Sequence, residues 1–399
     1  MMRTTCKVLL SLVAVLSCAS AQAVTIDTVP VGNAGNDADI TSLGGVDYNY
    51  DIGKFEVTSG QYVEFLNAVA ATDIYELWIP LMFDDPRGPM IERTGDSGSY
   101  EYEVEAARAN RPVGVIDWGD AVRFANWLFN GQPTGAQDLS TTEDGSYLLD
   151  GANTDAALMA VARKPGATWV IPTEDEWVKA AFHKNDGVTG NYWRFPTQLN
   201  NPAPGRDLTE STNSGNNANY IGDGNAPIED PYYTTEVGEF EQSDSPYGTF
   251  DQAGNLHEWN ESADDFGTMR GLRGGGWGSG GSLDIQSRFD FVPLTDRLDF
   301  GFRLARLAQV VEFTPGDLNM DGFVDGLDLG ILLGNWNTTT TPEMGELNGI
   351  APVDGLDLGI LLGAWNPSPL AVAGAVPEPS TLALLSLALG AVSLRRSRS

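Results

Sequence analysis

Between residues 248 and 303 the chain carries three strings, GTFDQAGNLHEW (248–259), RGGGW (273–277) and GFR (301–303), with no cysteine near any of them. Glycines clustered beside tryptophan and phenylalanine predict irregular turns packed around aromatic side chains, not long regular elements. The rest of the chain repeats this theme. Its 46 glycines imply many turns, while ten tryptophans and sixteen phenylalanines supply apolar mass for a large core and argue against disorder.

The only two cysteines, Cys6 and Cys18, lie near the N-terminus. Arg3 and Lys7 flank the start of an apolar run over 8–16, and small residues follow up to Ala21-Gln22-Ala23. This order predicts a secretory signal peptide over 1–23, cleaved after Ala23, because the apolar run is too short for a mature membrane span. Both cysteines leave with it. An acylated Cys18 is the competing reading, but Val15-Leu16-Ser17 makes a poor lipobox. Without cysteine the exported chain has no disulfides, so core burial and bound ions must hold it together. A formal charge of −32 at pH 7 argues against a nucleic-acid partner, which needs a basic footprint. It suits an extracellular surface that meets divalent cations.

Residues 24–308 show no internal linker and predict one domain. Three helices are legible in it. Thr58 to Gln61 form a capping box ahead of Tyr62, Phe65, Leu66 and Val69 at helical spacing. Asp117 caps a second helix with Ala121, Phe124, Ala125 and Leu128 on one face, and Thr173 to Glu176 cap a third with Trp177, Ala180 and Ala181 inward. The acidic stretch 95–105 has no clear period.

Two further strings, IGKFEVTSGQY (52–62) and IPTEDEW (171–177), complete a set. Together they resemble the formylglycine-generating enzyme family, the sulfatase-modifying factors, whose usual forms are EVTNxxY, LPTExEW, LYDMxGNVWEW, RGGSW and GFR. The resemblance implies an α+β, C-type-lectin-like fold with little regular secondary structure. The best-known members oxidise a sulfatase cysteine with two cysteines of their own, placed between RGGSW and GFR. Here that interval, 277–300, reads WGSGGSLDIQSRFDFVPLTDRLDF, so the family's chemistry is expected to be absent. Ser279 sits near the first family cysteine. With no histidine partner in view, it is not expected to be a nucleophile.

The resemblance also implies structural calcium. One family site maps onto Asp251, Gly254, Leu256 and Glu258, two carboxylates and two carbonyls suited to a hard cation. The competing reading is a hydrogen-bonded turn. A second site would begin at Asn219 and Tyr220; its acidic partner is open, with Asp230 one option. His183 and His257 are the only histidines, too few for the three-histidine iron site of some relatives. His257 is expected to pack or hydrogen-bond in a turn, and His183 to gain from a helix C-terminus. Arg273 and Arg303 match the family's RGG and GFR arginines and are expected to pair, buried, with carboxylates or to line a pocket.

A tandem repeat follows: GLDLGILLGNWN (326–337) recurs as GLDLGILLGAWN (355–366). The first copy overlaps DLNMDGFVDGLD (317–328). This places oxygen ligands Asp317, Asn319, Asp321, Asp325 and Asp328 at calcium-loop positions 1, 3, 5, 9 and 12, with the Phe323 carbonyl at position 7. The second loop, 346–357, has Ile350, Ala351 and Pro352 where a ligand, the turn glycine and the carbonyl ligand belong, so a weak or empty site is expected. The pair resembles a type I dockerin, a small all-α calcium-binding domain over 316–366, which implies a cohesin-like or other surface partner. Short linkers, 309–315 and 367–375, flank it.

The C-terminus, 376–399, reads VPEPSTLALLSLALGAVSLRRSRS. The Pro-Glu-Pro triplet, short apolar run and terminal arginines resemble a PEP-CTERM sorting signal. That implies exosortase processing and a location at the cell surface, in the outer envelope or outside the cell. The functional expectation is an exported, surface-associated, non-catalytic binding or scaffold protein, with Ca2+ as its only cofactor. The region 277–297 would face a ligand that the sequence does not identify. The alternative is an oxidoreductase of the formylglycine-generating or non-haem iron type. An unrecognised hydrolase lacks a visible triad or metal cluster.

Overall fold

The structure, a computed structural model, describes residues 23–206, 215–221, 231–308, 315–319, 324–339 and 344–366. Nearly all of the expected signal peptide, Asp230, Asp321, Phe323, most of the two linkers and the C-terminal tail lie outside these residues. The chain divides into two compact units, Met1–Gln309 and Val310–Ser399.

The first unit runs β1 (Thr28–Val31), β2 (Tyr50–Gly53), α1 (Ser59–Val69), α2 (Leu81–Asp84), β3 (Ile91–Thr94), β4 (Glu101–Val104), α3 (Ala106–Ala109), α4 (Trp118–Phe129), α5 (Asp155–Ala160) and β5 (Trp169–Val170). It continues through α6 (Glu174–Phe182), β6 (His257–Ala263), β7 (Arg270–Arg273), β8 (Phe289–Phe291), β9 (Phe300–Gly301) and β10 (Ala305–Leu307). One sheet is ordered β1-β2-β10-β5, which pairs strands from the two ends of the unit. A second is ordered β8-β7-β6-β9, with β6 and β9 parallel. The class is mixed α/β with short elements, as the glycine-rich sequence predicts.

The three expected helices are α1, α4 and α6. Each begins in a capping box: Thr58 with Gln61, Asp117 with Asp120, and Thr173 with Glu176. These caps satisfy two of the amide groups that a helix start leaves unpaired, so they fix where each helix begins. The apolar faces then meet. Phe65 of α1, Phe124 of α4 and Phe302 of the GFR string form edge-to-face contacts with ring centroids 5.2 and 5.5 Å apart. Burying each such ring contributes on the order of 2–3 kcal/mol. Phe302 therefore anchors the GFR turn and presents its neighbour Arg303 to the interior.

The uncertain stretch 95–105 becomes the turn and second strand of the β3–β4 ladder. Gly95, at φ +83°, permits the turn; a Cβ there would lie 2.5 Å from the Ser99 carbonyl oxygen. Arg93 on β3 covers the rings of Trp78 and Tyr100, at 4.0 and 4.3 Å.

In the second unit the two identical GLDLGILLG segments form α7 (Gly326–Gly334) and α8 (Gly355–Gly363). Asp325 and Asp328 make the capping box of α7, and Asp354 and Asp357 that of α8. Asp328 also accepts from the amides of Leu318 and Asn319, at 2.7 and 3.1 Å, which ties those two residues to the helix start. Leu318, Val324, Leu332, Val353 and Leu361 close a small core between the copies. In the second loop, Glu346 and Asn348 both accept from the Ile350 amide, each at 2.7 Å.

Candidate functional site

Strand β6 opens at His257, which pairs with Phe300 of β9. The RGGGW turn leaves β7 beside it, and Trp277 donates its amide to the Asn255 carbonyl at 2.7 Å. This clip sets the loop that follows. Ser279 lies half-buried on it, with Oγ 2.7 Å from His257 Nε2. The Gly276 amide donates to the same Oγ at 3.2 Å. His257 is 5 % exposed and packs edge-on against Phe289 and Phe300, with centroids 5.0 and 5.7 Å away. Its Nδ1 has no partner among the described residues. Burial pushes the imidazole down to about 4; Asp299 pulls upward and Arg297 opposes it. The ring is therefore neutral at pH 7.

The expectation that Ser279 lacks a histidine partner is corrected here. The two residues are 22 positions apart and meet only because the RGGGW loop leaves β7 beside the start of its neighbour β6. Gly276 makes room for them: a Cβ there would lie 3.1 Å from both His257 Cδ2 and Asp299 Cβ. The family strings carry serine at this position and tryptophan at that of His257. The two departures thus fit each other.

Beneath the pair, Glu258 accepts from Arg303 Nε at 2.5 Å and Nη2 at 2.6 Å, and from Trp177 Nε1 at 2.7 Å. Neither Glu258 nor Arg303 is exposed to solvent. Arg273 pairs likewise with buried Glu174, which also meets Arg288. The buried arginine–carboxylate reading holds for both family arginines.

That geometry bears on the calcium expectation. Every Glu258 oxygen is already engaged by a donor, and Arg303 supplies the positive charge. Asp251 accepts from the Gly238 amide at 2.7 Å and is pushed up to about 6 by burial. Asp251 with the Gly254 and Leu256 carbonyls makes a ligand set too small for calcium without Glu258, so this set fits the ion poorly. Asn219 fits better. Its amide nitrogen donates to the Tyr233 carbonyl and to Asn255, while its buried Oδ1 has no partner among the described residues. An orphaned oxygen of this kind suits a cation. Tyr220, its neighbour, donates its hydroxyl to the Pro204 carbonyl at 2.6 Å.

His183 also needs correcting. It ends α6, but it is fully buried between the Tyr247 hydroxyl at 2.8 Å and the Thr189 carbonyl at 3.0 Å, and burial lowers its pKa. Desolvation therefore outweighs the helix dipole.

Sequence reasoning missed one cluster. Asp117, Asp120 and Asp296 bring carboxylate oxygens within 4.8 Å of one another. Asp117 and Asp296 line a recess of about 580 Å3 with Asp73, Tyr75, Glu76 and Asn153. Asp117 and Asp120 are legible as a helix cap, but the approach of Asp296 from the far end of the unit left no local signal.

The family profile of the sulfatase-modifying factor enzyme 1-like domain matches residues 32–308. The chain belongs to the sulfatase-modifying factor family. The PEP-CTERM protein-sorting motif matches residues 375–398 and marks this family member for export, exosortase processing and a cell-surface or envelope location with a C-terminal anchor. Among the described residues no helix is long and apolar enough to cross a membrane. No curated protein matches the chain.

Solved structures similar to this family member include Treponema denticola variable protein 1, at 18 % identity and TM-score 0.44, with 72 % of this chain and 97 % of that chain covered. CarF matches at 22 % identity and TM-score 0.46, with 71 % and 99 % covered. PvdO from Pseudomonas aeruginosa matches at 15 % identity and TM-score 0.38, with 70 % and 92 % covered.

Proposed function

We propose that the exported chain is a surface-held sulfatase-modifying factor homologue that does not make formylglycine and meets its ligand at the 277–297 loop. One observation supports this most directly: 277–300, the interval that holds both family cysteines, contains no cysteine, and Ser279 lies near the place of the first. Without a thiolate, the two-cysteine oxidation has no group to run through. The oxidoreductase alternative is disfavoured further because both histidines are buried against protein partners. Incubation of the purified chain with a sulfatase-motif peptide, copper and oxygen is expected to give no turnover above a metal-only control. Turnover well above that control would overturn the reading.

A second reading concerns the repeat at 316–366, as a dockerin-like, calcium-binding unit that docks a cohesin-like partner. Exposed apolar side chains recur at the repeat offset: Leu327 with Leu356, Leu333 with Leu362, and Trp336 with Trp365. A duplicated apolar surface of this kind suits a protein partner. Changing Leu327 and Leu356 to serine is expected to abolish binding of a cohesin-like domain in calcium without shifting the melting temperature. Unchanged binding would reject the idea.

A further inference from the structure

We propose that Ser279 is an acyl-transfer nucleophile, with His257 as its general base, and that the pair hydrolyses carboxylic esters bearing an apolar acyl group. The proposal rests on the reading of 277–297 as the ligand-facing loop and deepens it.

Ser279 Oγ accepts from the Gly276 amide and keeps a second lone pair, so the direction of its bond with His257 Nε2 follows the ring tautomer. Base catalysis uses the tautomer with the ring proton on Nδ1, in which Oγ donates to Nε2. A serine is a weak nucleophile until a base within hydrogen-bond reach takes its proton, and 2.7 Å meets that requirement. The imidazole is held in place by Phe289 and Phe300 on its edges and by its own amide, which donates to the Asp299 carbonyl at 2.8 Å.

Access and charge stabilisation come from the loop. Ser279 sits between exposed Gly278 and Gly280, whose amides have no protein acceptor among the described residues. Those amides are free to donate to the oxyanion of a tetrahedral intermediate. Phe289 is 39 % exposed and lies against the His257 ring, giving the pair an apolar wall. This favours an apolar acyl group. The Nδ1 proton has no acceptor, so the imidazolium is stabilised less than in a full triad. Esters, whose leaving alkoxide needs little acid help, therefore suit the pair better than amides.

The step balances. An Oγ–C bond forms as the Oγ proton passes to Nε2; the ester C–O bond then breaks, and the departing alkoxide takes that proton. Water next adds to the acyl carbon and gives its proton to Nε2. Ser279 Oγ leaves with that proton, restoring the hydroxyl.

The test uses the full purified chain, p-nitrophenyl butyrate and a fluorophosphonate probe. The expected result is hydrolysis above buffer and a single adduct mapped to Ser279 by mass spectrometry. Ser279→Ala should abolish both, and His257→Gln should slow adduct formation by about 100-fold or more. Melting temperatures of the variants check folding. If either variant fails to fold, the location of the adduct on the unsubstituted chain still decides. An adduct elsewhere, or none above a heat-denatured control, overturns the proposal. That failure leaves the formylglycine result untouched, and peptide oxidation in that other assay would sink the earlier reading without moving this label.

Discussion

Arg303 and Glu258 meet through two parallel hydrogen bonds, 2.5 and 2.6 Å long, in a place solvent does not reach. The pair joins the GFR string to β6 and so ties the last strands of the domain to the sheet that carries His257. Arg303 also donates to the Gly53 and Phe250 carbonyls, at 3.0 and 2.8 Å.

Removing one partner should cost far more than removing both. Arg303→Met leaves Glu258 as an uncompensated buried charge and is expected to destabilise the fold by about 3–5 kcal/mol. Adding Glu258→Gln should recover part of that loss. Urea unfolding of the two variants checks this; equal losses would show that the ion pair is not the reason.

The stability that the acidic cluster contributes should fall as pH rises from about 4 to 7. Burial, then repulsion from neighbouring carboxylates, pushes Asp296 up to about 7; burial pushes Asp117 up to about 6. In the unfolded chain these groups lose their protons near about pH 4. Across the interval the folded state holds more protons than the unfolded one, so deprotonation favours unfolding. Asp296→Asn is expected to flatten this part of the melting-temperature profile. A variant whose profile stays as steep as that of the unsubstituted chain would rule out the cluster as its source.

Gly276→Ser restores the family residue and should disturb the pair. Its Cβ would meet His257 Cδ2 and Asp299 at 3.1 Å, which forces one of them to shift. We expect a loss of about 1–3 kcal/mol and slower labelling of Ser279. Thermal melts and probe kinetics on this variant give both readouts. Full-rate labelling would mean that the room at Gly276 is incidental.

Calcium should raise the melting temperature of the repeat through its first loop. Asp317→Ala with Asp321→Ala removes two carboxylates and should abolish that rise, since a ligand stabilises only the form it binds. Glu346→Ala with Asp357→Ala should reduce it much less, because Ile350 already replaces a ligand in the second loop. Calorimetry showing two equal sites would contradict this ordering.

Short-range rules determined a great deal by sequence alone. Capping boxes at Thr58, Asp117 and Thr173 need only neighbouring residues, and the helices start where those strings place them. Strings such as RGGGW and GFR carried the family, and the Pro-Glu-Pro tail carried the destination. The shortest strands left no such trace: β5 and β9 have two residues each, too few to show any period. Stretch 95–105 became an ordered ladder because β3 pairs with it, a fact its own residues do not state.

The chemistry of the site was decided in three dimensions. Ser279 and His257 looked like two isolated polar residues until β6 and the RGGGW loop brought Oγ to Nε2. Glu258 reads in the sequence as one carboxylate among turn residues, and only the fold brings Arg303, from beyond the loop, to both its oxygens. Asp296 became part of an acidic cluster only by folding against the start of α4. Helix caps and glycine turns are set by backbone geometry over a few residues, so sequence encodes them locally. A proton-sharing pair or a buried ion pair depends on where the sheet carries distant segments, and burial then sets the charge each group can hold.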